Sequence, residues 1–85
     1  MSTLYKIFYN EIPKILINGP KTHREIAERI KRSFPETCDD SIPCPHVKDK
    51  SCHPEWDHIV RNAEQGLKRK DIIKYDYGNR RWELA

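Results

Sequence analysis

The densest group of metal-binding side chains in the sequence lies in a short polar segment, residues 35–53. All three cysteines and two of the four histidines fall there, in the pattern C-x5-C-x-H-x5-C-H. Thiolate and imidazole are ligands that zinc prefers, and a closed tetrahedral site can order a loop that has no core of its own. The pattern therefore predicts a structural zinc site. The predicted ligands are Cys38, Cys44, His46 and Cys52, with His53 as an alternate for one of them.

Other interpretations of these cysteines stay open from sequence alone: free buried thiols, or one disulfide formed by oxidation. The segment lacks the C-x2-C pair that usual structural zinc sites have. Catalysis is not expected, because a catalytic zinc needs an open ligand position and a general base in a cleft. A chain of 85 residues has apolar side chains for one core but not for a deep cleft as well. Adjacent residues such as Cys52 and His53 also rarely point at one another. We therefore predict that the chain is not an enzyme.

A second group of functional side chains lies in residues 54–71, which we predict to form one amphipathic helix. Apolar residues recur there at spacings of three and four, and a proline at the start suits a first helical turn. The opposite face holds side chains that can hydrogen-bond base edges, since arginine suits guanine and asparagine or glutamine suits adenine. The apolar positions are Trp56, Ile59, Val60, Ala63 and Leu67, and the polar face consists of Asp57, His58, Arg61, Asn62, Gln65, Lys68 and Arg69.

Every amphipathic helix needs a polar face, so the charge distribution has to support a binding function. The net charge is +3. Residues 1–60 contain equal numbers of basic and acidic side chains, so the whole excess lies in residues 61–85. A local basic surface attracts polyanions through phosphate contacts, which predicts double-stranded DNA as the partner. The predicted base contacts are Arg61, Asn62 and Gln65, and the predicted flanking or phosphate contacts are His58, Lys68 and Arg69.

Residues 72–84 predict a β-hairpin directly after this helix. Residues 72–76 have the β-branched and aromatic bias of a strand, residues 77–79 have turn chemistry, and residues 80–84 return as a second strand. The hairpin is expected to contact the nucleic-acid backbone through Lys74, Arg80 and Arg81.

Two more helices are predicted upstream. The first lies between Leu4 and Asn18, and it either starts near Asn10 or kinks at Pro13, because proline inside a helix removes a hydrogen bond. A glycine and a proline after Asn18 end it.

The second upstream helix carries a clear start signal. Thr22 and Glu25 form a capping box, in which each side chain accepts the other residue's backbone N–H. The helix continues to Phe34 and ends at Pro35. His23, at the start of this helix, is expected on the surface.

The predicted order is helix, capped helix, irregular segment, amphipathic helix and hairpin. Three helices that bury their apolar stripes together, with a hairpin along one edge, form a winged helix-turn-helix, an α+β fold. The second and third helices are normally joined by a short turn, whereas here the Cys/His-rich segment 35–53 is inserted between them. We predict one such domain over residues 1–85.

The C-terminal part of the chain also resembles the winged-helix domains attached to prokaryotic restriction-type endonucleases. The resemblance covers residues 12–34 and 54–85, and it is more specific for the fold than for one subfamily. The upstream residues that are similar are Thr22 to Ala27, at the start of the second helix. Further features that carry the resemblance are Trp56, Ile59-Val60-Arg61, the stretch Gln65 to Leu67, the pair Ile72-Ile73, and Trp82-Glu83-Leu84.

Two features depart from that family pattern. The turn after the third helix usually contains glycine, and here it contains Lys70 and Asp71; aspartate tolerates the left-handed conformation at some cost. Gly66 lies inside the third helix, where it costs roughly 1 kcal/mol relative to alanine. A close approach between two helices would explain that glycine.

The resemblance implies a specificity module of a restriction-type system, since one subgroup of these domains reads N6-methyladenine in duplex DNA. A methyl group offers only contact area, so its reader needs an aromatic pocket. Trp56 is the aromatic residue that the sequence places best, although its position in the apolar stripe also fits a core residue. The chain has no nuclease motif, so cleavage would come from a separate nuclease domain or subunit.

The competing prediction is a winged-helix protein-interaction module that does not bind DNA. Salt distinguishes the two, because DNA affinity falls steeply with ionic strength and an apolar interface does not. A reduced, cytoplasmic setting is expected, because the cysteine number is odd and the N-terminus lacks a signal-peptide pattern. The sequence contains no apolar run of about 18 residues that would span a membrane.

Overall fold

The computed structural model describes residues 3–40 and 54–85. Within these ranges the chain forms three helices followed by an antiparallel hairpin, so the fold is α+β and compatible with a winged-helix layout. Of the predicted insertion, residues 41–53 lie outside the described ranges. The elements are α1 (Thr3–Leu16), α2 (His23–Ser33), α3 (Glu55–Arg69), β1 (Ile73–Asp76) and β2 (Arg81–Leu84).

Helix α1 begins at Thr3 and continues through Pro13, so the predicted start near Asn10 is wrong. An interior proline costs about 3 kcal/mol. The turns that precede the proline bury Phe8 and Ile12 completely. Because each such side chain contributes roughly 1.5–3 kcal/mol when it is fully buried, packing of the N-terminal half of α1 offsets the cost of the proline.

Helix α2 begins as the sequence predicts. The Thr22 hydroxyl accepts the backbone N–H of Glu25 at 3.2 Å, and the Glu25 carboxylate accepts the backbone N–H of Thr22 at 3.0 Å. The inward positions Ile26 and Ile30 are completely buried. The helix ends at Ser33, two residues before a proline. The capping box therefore fixes where the helix starts, and its apolar stripe packs into the core.

Helix α3 packs against α1, and Gly66 faces two tyrosine side chains of α1. A Cβ atom at Gly66 would overlap the Tyr5 hydroxyl and would lie 3.4 Å from the ring of Tyr9. The absence of a side chain at Gly66 therefore leaves room for these tyrosines against α3.

The turn after α3 requires a left-handed residue, and Asp71 takes that conformation with a φ of 59°. The backbone N–H of Ile72 then donates to the carbonyl of Leu67 at 3.0 Å. Aspartate at this position tolerates the left-handed region at a modest cost, as the sequence predicts. The chain therefore turns directly from α3 into the hairpin.

The hairpin is tied to the segment that precedes α2. Tyr75 pairs with Trp82 across the two strands. Lys21 extends the pairing, because its N–H donates to the Trp82 carbonyl at 2.9 Å and its carbonyl accepts the Trp82 N–H at 2.7 Å. The Trp82 side chain is buried in the core. These bonds hold the hairpin beside the start of α2.

The core is one cluster to which all three helices and both strands contribute. In the described ranges, no helix is both long enough and apolar enough to cross a membrane. The largest completely buried side chains are Phe8, Ile12, Ile26, Ile30, Val60, Leu67 and Ile73.

Candidate nucleic-acid interface

A groove of about 270 Å³ lies between α3 and the hairpin, and we call it the α3–hairpin groove. Arg61, Gln65 and Lys68 line its helical side, and Tyr75 and Tyr77 line its hairpin side. Arg61 and Gln65 are exposed, and Lys68 is half-buried. The structure therefore brings three of the predicted contact residues together along one groove.

Lys68 connects α3 to the turn of the hairpin. Its Nζ donates to the Tyr77 hydroxyl at 2.9 Å and lies 5.3 Å from the centre of the Tyr77 ring. Tyr77 packs edge-on against Tyr75 with ring centres 4.9 Å apart, and Tyr75 packs in the same way against Trp82 at 4.8 Å. This series of contacts runs from the buried core to the exposed turn and orders the hairpin side of the groove.

His23 also lines the groove, held between two carboxylates of α3, so its expected surface position is wrong. Its Nε2 lies 2.8 Å from Oδ1 of Asp57, and its Nδ1 lies 2.9 Å from Oε2 of Glu64. Asp57 is 7% exposed and Glu64 is 2% exposed. Both ring nitrogens face carboxylate acceptors, and both can donate a hydrogen bond only when the imidazole is protonated on both nitrogens. We call this arrangement the His23 bridge.

The His23 bridge keeps the imidazole charged. Burial alone lowers the pKa of His23, but the hydrogen bonds and negative charges of Asp57 and Glu64 outweigh burial and raise the pKa from 6.5 to about 9. Arg61 also pairs with Asp57, with 3.5 Å between Nε and Oδ2. Two cations therefore face two anions, and the cluster is neutral as a whole.

The bridge changes which charges α3 presents to solvent. The helix contains three carboxylates, and Asp57 and Glu64 are both buried against His23. The expectation that Asp57 belongs to the exposed polar face is therefore wrong, because α2 supplies a cation that draws this side chain inward. The third carboxylate, Glu55, is half-buried at the helix start. Of the basic side chains, Lys68 and Arg69 lie in the last turn of α3, and Arg61 lies one turn after Asp57.

The basic residues of the hairpin are all exposed. Lys74 lies opposite Glu83, with 3.5 Å between Nζ and Oε1. Arg80 closes the turn with a φ of 54°, and Arg81 begins β2. Asp76 orders the turn by accepting the backbone N–H groups of the two residues that precede Arg80, at 3.0 and 3.3 Å. None of these three cations lines the groove, and strand alternation places Lys74 and Arg81 on the hairpin face opposite Tyr75 and Trp82.

The remaining predicted contacts on α3 lie in different surroundings. Asn62 is exposed and His58 is half-buried. Arg69 is exposed but lines a separate pocket between α1 and α3. The structure does not bring Arg69 to the α3–hairpin groove.

Trp56 lies in the core with 8% of its surface exposed. Its indole N–H donates to Oδ1 of Asp40 at 2.7 Å, and Asp40 also pairs with Lys31. The hydrogen bond from Lys31, and to a smaller extent the one from Trp56, holds the pKa of the Asp40 carboxyl below its usual value. Trp56 and Arg61 border a groove of about 480 Å³ between α2 and α3. The proposed methyl-base role of Trp56 stays a prediction.

Cys38 is the one predicted zinc ligand inside the described ranges. It is buried in the core, and burial raises the pKa of its thiol. Across residues 3–40 and 54–85, no three side chains of histidine, cysteine, aspartate or glutamate are placed to hold a metal together. The zinc site stays a prediction, because the other predicted ligands lie outside the described residues: Cys44, His46, Cys52 and His53.

Sequence reasoning missed the His23 bridge, although a signal for it exists. Asp57 and Glu64 are seven residues apart, which places them on one side of a helix two turns apart. They also directly follow Trp56 and Ala63 of the apolar stripe. Acidic residues repeated at helical spacing beside a buried stripe indicate a buried cationic partner on a neighbouring element.

Comparisons with protein-family models, with curated proteins and with solved structures found no match for this chain. A functional proposal therefore depends on the chemistry of its surface.

Proposed function

We propose that the protein binds duplex DNA, with α3 in the major groove and the hairpin against the neighbouring backbone. The observation that carries the proposal is the burial of Asp57 and Glu64 against His23. Duplex DNA carries one negative charge per roughly 1.7 Å of its axis, so exposed carboxylates on a helix that enters a groove are repelled by the phosphates. Together with Arg61, the bridge neutralises the two acidic groups that would otherwise repel phosphate.

The side chains that remain on α3 suit base recognition. A helix with its side chains fits the major groove, which is about 12 Å wide. Arg61 can donate two hydrogen bonds to guanine, and Asn62 and Gln65 can pair with adenine. All three are exposed on consecutive turns of α3. The pairing of Arg61 with Asp57 also limits the directions that the guanidinium adopts.

The hairpin supplies contacts that do not depend on base sequence. Arg80 and Arg81 are exposed in the hairpin. Lys74 is also 63% exposed, and its ion pair with Glu83 contributes little in water, so a phosphate can replace that partner at small cost. Phosphate contacts of this kind fix the position of a protein on DNA, whereas base contacts select the sequence.

A finer form of the proposal makes the chain a specificity module that reads N6-methyladenine, with cleavage supplied by a nuclease domain or subunit. The aromatic side of the α3–hairpin groove, Tyr75 and Tyr77, supports it by offering apolar contact area beside the base-reading residues. Trp56 borders the neighbouring groove together with Arg61. Affinity for duplexes that differ only in the methyl group distinguishes this form from ordinary DNA binding.

The proposal is tested by titrating labelled duplexes with three variants. Arg61→Ala should change the preference among sequences by roughly tenfold, because one base contact contributes about 1–3 kcal/mol. Arg80→Ala should lower the affinity for all duplexes by a similar factor, whatever their sequence. Lys14→Ala is the matched control, because Lys14 is 70% exposed on α1, outside the proposed interface. If Arg61→Ala and Arg80→Ala bind like Lys14→Ala, the protein-interaction alternative replaces this proposal.

A further inference from the structure

A second pocket, of about 620 Å³, lies between α1 and α3. The described residues that line it are all different from those that line the α3–hairpin groove. Its volume falls within the range of roughly 300–1,000 Å³ that small-molecule sites occupy. The pocket is therefore large enough for a ligand and separate from the proposed groove.

The apolar wall of this pocket consists of two tyrosines of α1 beside a glycine of α3. The rings of Tyr5 and Tyr9 lie 5.8 Å apart with an angle of 32° between their planes. Both side chains are half-buried and pack against the core. Gly66, which has no side chain, forms the adjoining surface of α3. Gly66 itself is buried, so the half-buried rings of Tyr5 and Tyr9 provide the surface on which a planar ring can stack.

The rim of the pocket is basic. Lys6 comes from α1, and Arg69 and Lys70 come from the end of α3. All three side chains are exposed, and none of the described lining residues is acidic. Three cations around one concave site attract an anion, and the negative end of the α3 dipole does not cancel three full charges.

We propose that this pocket binds a small aromatic anion, in which a planar ring stacks on Tyr9 and an attached phosphate or carboxylate is held by Lys6 and Arg69. A neutral ring would use the tyrosines without the cations, and a bare phosphate would use the cations without the tyrosines. Each of these should therefore bind more weakly than a molecule that carries both groups. The proposal does not depend on DNA binding, because Lys6 and Tyr9 have no part in the proposed interface.

The test is a titration of the isotopically labelled full chain, followed by the NMR shifts of its backbone amides. The probes are adenosine monophosphate and 1-naphthoate, which carry phosphate and carboxylate respectively, with adenosine and inorganic phosphate as controls. We expect one or both aromatic anions to shift the amides of Gly66 and Tyr9 saturably. Their affinity should exceed that of either control at least tenfold, and the amide of Gly78, in the hairpin, should stay unchanged.

Charge reversal then separates this pocket from general attraction to a basic protein. Lys6→Glu should lower the affinity for the aromatic anion at least tenfold, and Lys6→Arg should retain the parent affinity. Lys14→Glu, on the same helix, should change the affinity little. Lys6 is exposed, so these substitutions leave the core intact, which a circular dichroism spectrum checks. The proposal is overturned if phosphate binds as tightly as the aromatic anions. It also fails if neither aromatic anion shifts Gly66, or if Lys6→Glu binds like the parent protein.

Discussion

His23 is the residue whose charge matters most to the proposed interface. Its two ring nitrogens lie within hydrogen-bonding distance of two buried carboxylates, one on either side of the imidazole. The imidazolium offsets one of the two negative charges of Asp57 and Glu64, Arg61 offsets the other, and the imidazole joins α2 to α3. One side chain therefore links two helices and changes the charge that the α3 surface presents.

His23→Ala should lower the free energy of unfolding by about 3 kcal/mol, because it leaves two buried carboxylates without their cation. Urea denaturation measures the change. Arg24→Ala is the matched control: its guanidinium pairs with Glu28 at 3.4 Å, but the Arg24 side chain is 89% exposed. The loss in Arg24→Ala should stay below about 0.5 kcal/mol. Equal losses in the two variants would contradict a stabilising role for the His23 bridge.

The stability of the protein should also depend on pH through this histidine. The pKa of His23 rises from 6.5 to about 9 on folding, so its stabilising contribution is complete below pH 6.5. It is lost as the pH rises through 9, and the pKa shift corresponds to about 3 kcal/mol. Denaturation at several pH values should show this decline in the parent protein.

The His23→Ala variant provides the control for that pH series. The Cys38 thiol, whose pKa burial raises, contributes equally to both proteins and cancels in the comparison. The difference in stability between parent and variant should therefore shrink from pH 6.5 to pH 9. A difference that stays constant over this range would show that His23 does not carry the charge assigned to it.

At the scale of elements, the contact between α1 and α3 determines how α3 is held. Glycine at position 66 lowers the helix propensity of α3. The Tyr5 hydroxyl explains why glycine is present, because it occupies the space that a side chain at this position would need. An alanine that stabilises an ordinary helix by about 1 kcal/mol should therefore behave differently here.

Gly66→Ala in the parent protein should gain less stability than the helix propensity of alanine provides, because the Tyr5 hydroxyl has to move away from α3. In a Tyr5→Phe background the overlap is removed, and the nearest remaining ring atoms lie at ordinary contact distances of 3.4 and 3.5 Å. The same substitution should then be more favourable by about 1 kcal/mol. A double-mutant cycle by urea denaturation measures this coupling. Additive effects of the two substitutions would contradict the proposed contact.

The inserted segment is a second element whose role can be measured directly. If Cys44 and His46 are zinc ligands, the purified protein should contain about one zinc per chain, and a chelator should lower its stability. Cys44→Ser and His46→Ala should each lose the metal, whereas Ser51→Ala, in the same segment, should retain it. Elemental analysis measures the content, and a metal-free parent protein prepared under reducing conditions would contradict the zinc prediction.

For the molecule as a whole, the sequence predicts the order and type of every element in the described ranges. Helix α2, the stripe of α3 and the hairpin follow from local signals: a capping box, helical spacing and turn residues. Of the two predicted forms of α1, the start near Asn10 is wrong, because burial of Phe8 and Ile12 outweighs the local effect of Pro13. Rules based on neighbouring residues in the sequence do not include the free energy gained by burial in the core.

The proposed interface was predictable only in part. The exposure of Arg61, Asn62 and Gln65 follows from helical periodicity. The His23 bridge joins residues that are 34 and 41 positions apart, so local spacing does not pair them. The position of Tyr75 and Tyr77 in the α3–hairpin groove likewise results from the packing of the hairpin beside α3, which local spacing does not predict.

The most direct test of the central proposal is the affinity of the parent protein for a labelled duplex pool, with and without N6-methyladenine, at two salt concentrations. We expect binding at low salt that falls steeply as salt rises, because each phosphate contact releases a counterion. Preference for the methylated pool would support the methyl-reading form, and equal affinity would leave ordinary DNA binding. Absence of binding at low salt would contradict the proposed function and favour a protein partner.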